Sequence, residues 1–176
     1  FIMLLTVVLA STAFAAPDFD KTMAAAKQGK VYAQYNLAQM YDNGVGVPEN
    51  DAEAVKWFRK AAVQGYANAQ YNLGVMYGNG NGVPENDAEA VKWYRKAAVQ
   101  GDADAQSNLG FMYYNGEGVP ENSIRAYVWM SMAKTQGQTE ATENLDTIKR
   151  DITKQQIADG QALAAKCYES DYKDCD

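Results

Sequence analysis

One string in the chain has the spacing of a serine hydrolase. Ser131-Met132-Ala133-Lys134 fits S-x-x-K, in which a lysine one helical turn from a serine helps to turn its hydroxyl into a nucleophile. That chemistry also needs an S-D-N and a K-T-G element. Neither is present, and Lys134-Thr135-Gln136-Gly137 misses the second by an insertion. None of the 176 residues is histidine, which removes Ser-His-Asp and Cys-His catalytic units, His-ligated zinc or haem, and the usual neutral-pH base. Glu49 and Asp51 flank a helix start, where capping and the helix dipole account for carboxylates. The loop Asn79-Gly80-Asn81-Gly82 lacks the acidic positions of a calcium loop. There is no phosphate loop or dinucleotide fingerprint. The expectation is a chain with no catalytic, metal or cofactor residues, with hydrolase chemistry at Ser131 kept as the alternative. A net charge of −6, from 16 Lys and Arg against 22 Asp and Glu, also argues against nucleic acid as a partner.

Two cysteines, Cys167 and Cys175, lie near the C-terminus. The segment before the first charged residue, Asp18, begins with an apolar run over 1–10 and passes through small residues to Ala13-Phe14-Ala15, an A-x-A cleavage pattern. It is shorter than the roughly 20 apolar residues of a membrane span. Residues 1–15 therefore read as a secretory signal peptide and Ala16 as the mature start, giving a periplasmic or secreted protein with no membrane insertion after cleavage. In an oxidising compartment an even cysteine count favours a disulfide, Cys167–Cys175. Two free thiols, or a metal pair short of ligands, are the alternatives.

The elements that would position any site are repeated. Gly29, Gly65, Gly101 and Gly137 are 36 residues apart, as are Asn36, Asn72, Asn108 and Asn144, each followed by leucine. Segments 29–64 and 65–100 differ at 8 of 36 positions, and 101–136 is a third copy. Such periods mean stacked units, none able to bury its apolar face alone. Within a unit Ala69, Leu73, Met76 and Tyr77 form one face of a helix A. Glycines and Pro84 end it. Asn86, with Glu89 three residues on, starts a helix B through a capping box, and Ala90, Trp93, Ala97 and Ala98 form its inward stripe. Trp57, Trp93 and Trp129 read as core. After Ile148, Thr153 and Gln156 mark a further capping box, with Ile157, Leu163 and Cys167 facing inward on a terminal helix that caps the array.

The string A-x-A-Q-x-N-L-G-x-M-Y-x-x-G-x-G-V-x-x-N-x-x-x-A-x-x-W-x-x-x-A-A-x-x-G closely resembles the Sel-one-like repeat (SLR) family, a branch of the tetratricopeptide-like repeats. The resemblance spans Gly29 to Gly137, with partial units at Ala25–Gly29 and Ala141–Ile148. Asn50, Asn86 and Asn122 stand where the family has Asp as the helix B cap. It implies an all-α fold, a right-handed α-solenoid of antiparallel helix pairs, over 16–166 with a tail at 167–176. It also implies a protein or peptide partner, in an adaptor or immunity-type inhibitor role. A structural envelope role is a further alternative. Because a β-lactamase or penicillin-binding activity has been proposed for cysteine-rich relatives, the hydrolase alternative stays.

In such solenoids helix A lines the concave surface. At about 100° per residue, the positions opposite the buried stripe are Tyr35, Gln39 and Asp42 in the first copy, Tyr71, Val75 and Gly78 in the second, and Ser107, Phe111 and Tyr114 in the third. Seven of the eight differences between the first two copies fall within 30–45 and their counterparts. The scaffold is copied while this face varies. Apolar and aromatic residues with no core to enter make a recognition patch, so Tyr35, Gln39, Tyr71, Val75, Ser107, Phe111 and Tyr114 are the expected partner-binding residues. Relatives that clamp a C-terminal carboxylate place asparagine after the helix A glycine; Val75 and Phe111 hold that place here.

Overall fold

The capping asparagines set where each helix B begins. In the computed structural model, which describes residues 18–175, the side chains of Asn50, Asn86 and Asn122 each accept a hydrogen bond of 3.0 Å from the backbone N–H three residues on. The box is one-sided: Glu89 accepts from Lys92 at 2.5 Å. Thr153 and Gln156, by contrast, close a reciprocal capping box. The signal peptide expected over 1–15, with the mature start at Ala16, lies outside the described residues.

Nine α-helices and no strand occur among the described residues: α1 (Phe19–Lys27), α2 (Val31–Asn43), α3 (Asp51–Val63), α4 (Ala67–Asn79), α5 (Asp87–Ala98), α6 (Ala103–Asn115), α7 (Ser123–Thr135), α8 (Thr139–Asp151) and α9 (Lys154–Glu169). The pairs α2/α3, α4/α5 and α6/α7 are three full helix A/helix B units, and each helix B also packs on the next helix A. This is the expected all-α solenoid.

The stripe is buried as expected at Ala69, Leu73 and Met76, while Tyr77 is half-buried with its phenol taking a hydrogen bond from Arg59. A polar ladder joins the units. Gln34, Gln70 and Gln106 are buried. Their amides donate to the carbonyls of Ala26, Ala62 and Ala98 near the end of the preceding helix B. Their side-chain oxygens accept from Gln64, Gln100 and Gln136 at 2.6, 2.6 and 2.7 Å. The buried amides are thereby satisfied, and their loss would leave polar groups stranded.

The glycine loops add a second join. Gly82 (φ +67°) sits so close to the start of α3 that a Cβ there would lie 2.4 Å from the Asp51 carbonyl carbon, and Gly118 repeats the contact on Asp87. Only glycine fits both the conformation and the space. The fourth unit has no such loop, and α9 packs mainly on α7. Cys167 and Cys175 form a buried disulfide that holds the tail against α9, whose helix runs past Cys167 to Glu169.

Candidate binding surface

The helix A positions do not form one uniform patch. Tyr71 and Val75 of α4 and Phe111 of α6 line a cavity of ≈350 Å³ between the two helices, together with Asn108 and Tyr94. Phe111 is the most open of these at 45% exposure, whereas Tyr71 and Val75 are half-buried. Tyr35 and Gln39 lie one unit away and engage each other: the Gln39 amide donates to the Tyr35 hydroxyl at 2.9 Å. Tyr35 is further held by the rings of Phe58 and Tyr66, at 5.7 and 5.0 Å. Tyr114 hydrogen-bonds Asp151 of α8.

Ser107 departs from the expectation. It is 5% exposed, its hydroxyl against the Met130 sulfur at 3.9 Å. Tyr71 at the equivalent position is long enough to carry its phenol out of the helix interface; a serine is not.

Several residues of the cavity escaped the periodicity argument, Tyr94 and Asn108 among them. The single difference between the first two copies that lies in helix B, Phe58 against Tyr94, opens onto this side. Its companions make room for it. A Cβ on Gly74, where the first copy has Ala38, would lie 2.7 Å from the Tyr94 ring, and one on Gly78, in place of Asp42, would sit 3.9 Å from its hydroxyl. Three differences thus describe one change, a tyrosine delivered between α4 and α6. Asn108, legible only as a repeat marker, hydrogen-bonds both Tyr71 and Tyr94.

The electrostatics follow from burial and acidic neighbours. Burial, then Tyr71 nearby, pushes the Tyr94 phenol up to about 12 against the Asn108 hydrogen bond. Burial also raises Tyr71, helped by Asp104 and Asp102. Asp102 is itself raised, mainly by burial. Asp87 and Glu117 stand on the cavity rim. The site is thus an aromatic slot with neutral phenols, one fixed amide and a carboxylate edge, suited to holding a chain segment.

The S-x-x-K pair is not part of this site. Ser131 and Lys134 both lie on α7, the serine half-buried and the lysine exposed. Among the described residues no group of three or more Cys, Asp or Glu could hold a metal ion, and no helix is long and apolar enough to cross a membrane.

Comparison with known proteins places these units. The Sel1 repeat model matches residues 31–66, 67–102 and 103–138. A Sel1 repeat protein from Oxalobacter formigenes is 38% identical with a TM-score of 0.67, over 73% of this chain and 96% of the other. A protective antigen present in uropathogenic Escherichia coli strains, displaying an SLR fold, is 30% identical with the same TM-score of 0.67. That match spans 89% of this chain but 42% of the other. Cysteine-rich protein B of Helicobacter pylori shares the fold at 24% identity, TM-score 0.56, over 72% of this chain and 90% of the other. No curated protein matches significantly.

Proposed function

The chain belongs to the Sel1 repeat family, and from that premise we propose that it is an exported protein-interaction module, of adaptor or immunity type, that holds a segment of its partner in the slot between α4 and α6. The observation that carries the reading is Phe111, open to solvent over a cavity whose other walls include Tyr71, Tyr94 and Asn108. Rigid aromatic anchors lose little conformational entropy on binding, and such residues dominate interface energies. The carboxylates Asp87 and Glu117 on the rim select a neutral or basic segment by charge complementarity. Export is supported by the leader-like residues 1–15 and by the Cys167–Cys175 bridge, since disulfides persist in oxidising compartments.

The test starts from a stoichiometric partner captured from an envelope extract and then measured by calorimetry. Phe111→Ala should weaken binding about thirty-fold, the order expected for a hot-spot anchor, while Lys96→Glu on helix B leaves it unchanged. Loss of binding with Lys96→Glu alone would move the partner off the helix A side and sink this reading.

A further inference from the structure

Each helix B of the first two units carries a groove on its outer side, where it is not covered by the next helix A. The groove on α3 measures ≈620 Å³ and is floored by Val55, Trp57, Val63 and Val83. Its counterpart on α5 measures ≈560 Å³, over Val91, Trp93 and Val119. The loop glycines Gly82 and Gly118 cover the first turn of each helix, and beyond them apolar surface stays open: Val63 is 67% exposed.

The third unit shows what such a face accepts. There α9 lies on α7, with Gly160 so near Tyr127, at the place of Val55 and Val91, that a Cβ would approach the ring to 2.7 Å. Along α9, Ile157, Gly160, Ala164 and Cys167 fall at helical spacing, and the last three are buried. A helix with a narrow stripe of small residues therefore docks on a helix B.

The copies differ in charge where they differ in cover. Lys56, Arg59 and Lys60 rim the α3 groove with Glu53, and Lys92, Arg95 and Lys96 rim the α5 groove with Glu89. Arg59 and Arg95 are held at the groove by the phenols of Tyr77 and Tyr113. Lys60 stands 4.0 Å above the Trp57 ring and Lys96 4.3 Å above that of Trp93. At the lysine and arginine positions of α7 the chain has Val128, Ser131 and Met132, and Val128 and Met132 are buried. Lys56 pairs with Glu53 and Lys92 with Glu89, each at 2.5 Å, so in a chain of net charge −6 the exposed Lys60 and Lys96 over the tryptophans give each groove a positive charge complementary to an anionic ligand.

We propose that the grooves on α3 and α5 dock an acidic amphipathic helix of a partner protein, in the way α7 docks α9, with small residues over Trp57 or Trp93 and carboxylates on the lysines. The site is separate from the helix A slot.

The probe is a synthetic peptide of residues 153–169 carrying Lys154→Glu, Gln161→Glu, Lys166→Glu and Cys167→Ala, titrated into the full chain and followed by tryptophan fluorescence and calorimetry. Saturable binding is expected, weakened about tenfold by the Lys60→Glu, Lys96→Glu double variant, by raised salt, and in the peptide without the three glutamates. Both lysines are exposed and give up only a surface cation–π contact each, so the double variant should stay folded at the titration temperature, as circular dichroism would check. Phe111→Ala should leave the binding intact. Absence of saturable binding, equal binding of a scrambled peptide, or indifference to the lysine variant would overturn the proposal. Sensitivity to Phe111→Ala would do so too, by placing the peptide in the helix A slot. Concentration-dependent self-association lost in the lysine variant would name a second copy as occupant and equally defeat it.

Discussion

Helices α5 and α7 occupy the same place in successive units, yet α5 presents a cationic groove to solvent while α7 is sealed by α9. Trp93 and Trp129 are equivalent residues with 9% and 0% exposure. On the other side of the same two helices Tyr94 reaches the slot while Met130 packs against Gly110. What separates them is the neighbour. The glycine loop of the next unit covers only the first turn of the outer face of α5, and its absence from the fourth unit leaves the matching face of α7 to α9. A repeat scaffold thus changes its exposed surface through what covers a face, not through the backbone that makes it.

The largest expected effect probes that closure directly. Trp129→Ala should cost about 4–5 kcal/mol and Trp93→Ala about 3 kcal/mol, the upper and lower parts of the usual range for such truncations. Water can enter the open groove beside Trp93, whereas the space at Trp129 is enclosed. Urea unfolding of both variants would measure the difference, and equal losses would mean that the α9 cover adds nothing at this position.

Gly160→Ala gives a smaller effect with a more telling sign. Alanine favours a helix over glycine by about 1 kcal/mol, but here its methyl would press on the buried Tyr127 ring, and overpacking costs about 1–3 kcal/mol. A net loss of about 1 kcal/mol is expected in the same unfolding assay. A variant more stable than the parent would show that α9 is not seated on α7.

The smallest effect contrasts Tyr94 with Met130. Because burial raises the Tyr94 phenol from its ordinary value of 10 to about 12, the folded state favours the protonated form. Its contribution to stability is complete below pH 10 and is lost as pH rises from 10 to 12. Tyr94→Phe should flatten the fall in melting temperature over that window, at a cost of about 1 kcal/mol at neutral pH for the lost Asn108 hydrogen bond. An unchanged alkaline profile would mean that Tyr94 is not buried in the slot as described.

The sequence alone determined the architecture. A 36-residue period, Asn caps followed by alanine and tryptophan stripes, and glycine loops are local signals repeated three times, so noise in one copy is corrected by the others. The caps, the helix pairs and the buried tryptophans are where that periodicity put them, and the terminal capping box is where Thr153 and Gln156 marked it. The helix A slot was half legible: Tyr71, Val75 and Phe111 follow from helical phase. Tyr94 does not, because it reaches the slot from helix B through space opened by Gly74 and Gly78, and Ser107 was misplaced because phase fixes direction but not reach. Tertiary structure alone decided the glutamine ladder, the seating of α9 on α7 and hence the two uncovered grooves. Each is a contact between different helices, across units where Gln70 meets the Ala62 carbonyl and α9 meets α7, and within one unit where Gln100 meets Gln70, and helical phase along one helix carries no information about which surface another helix brings to meet it.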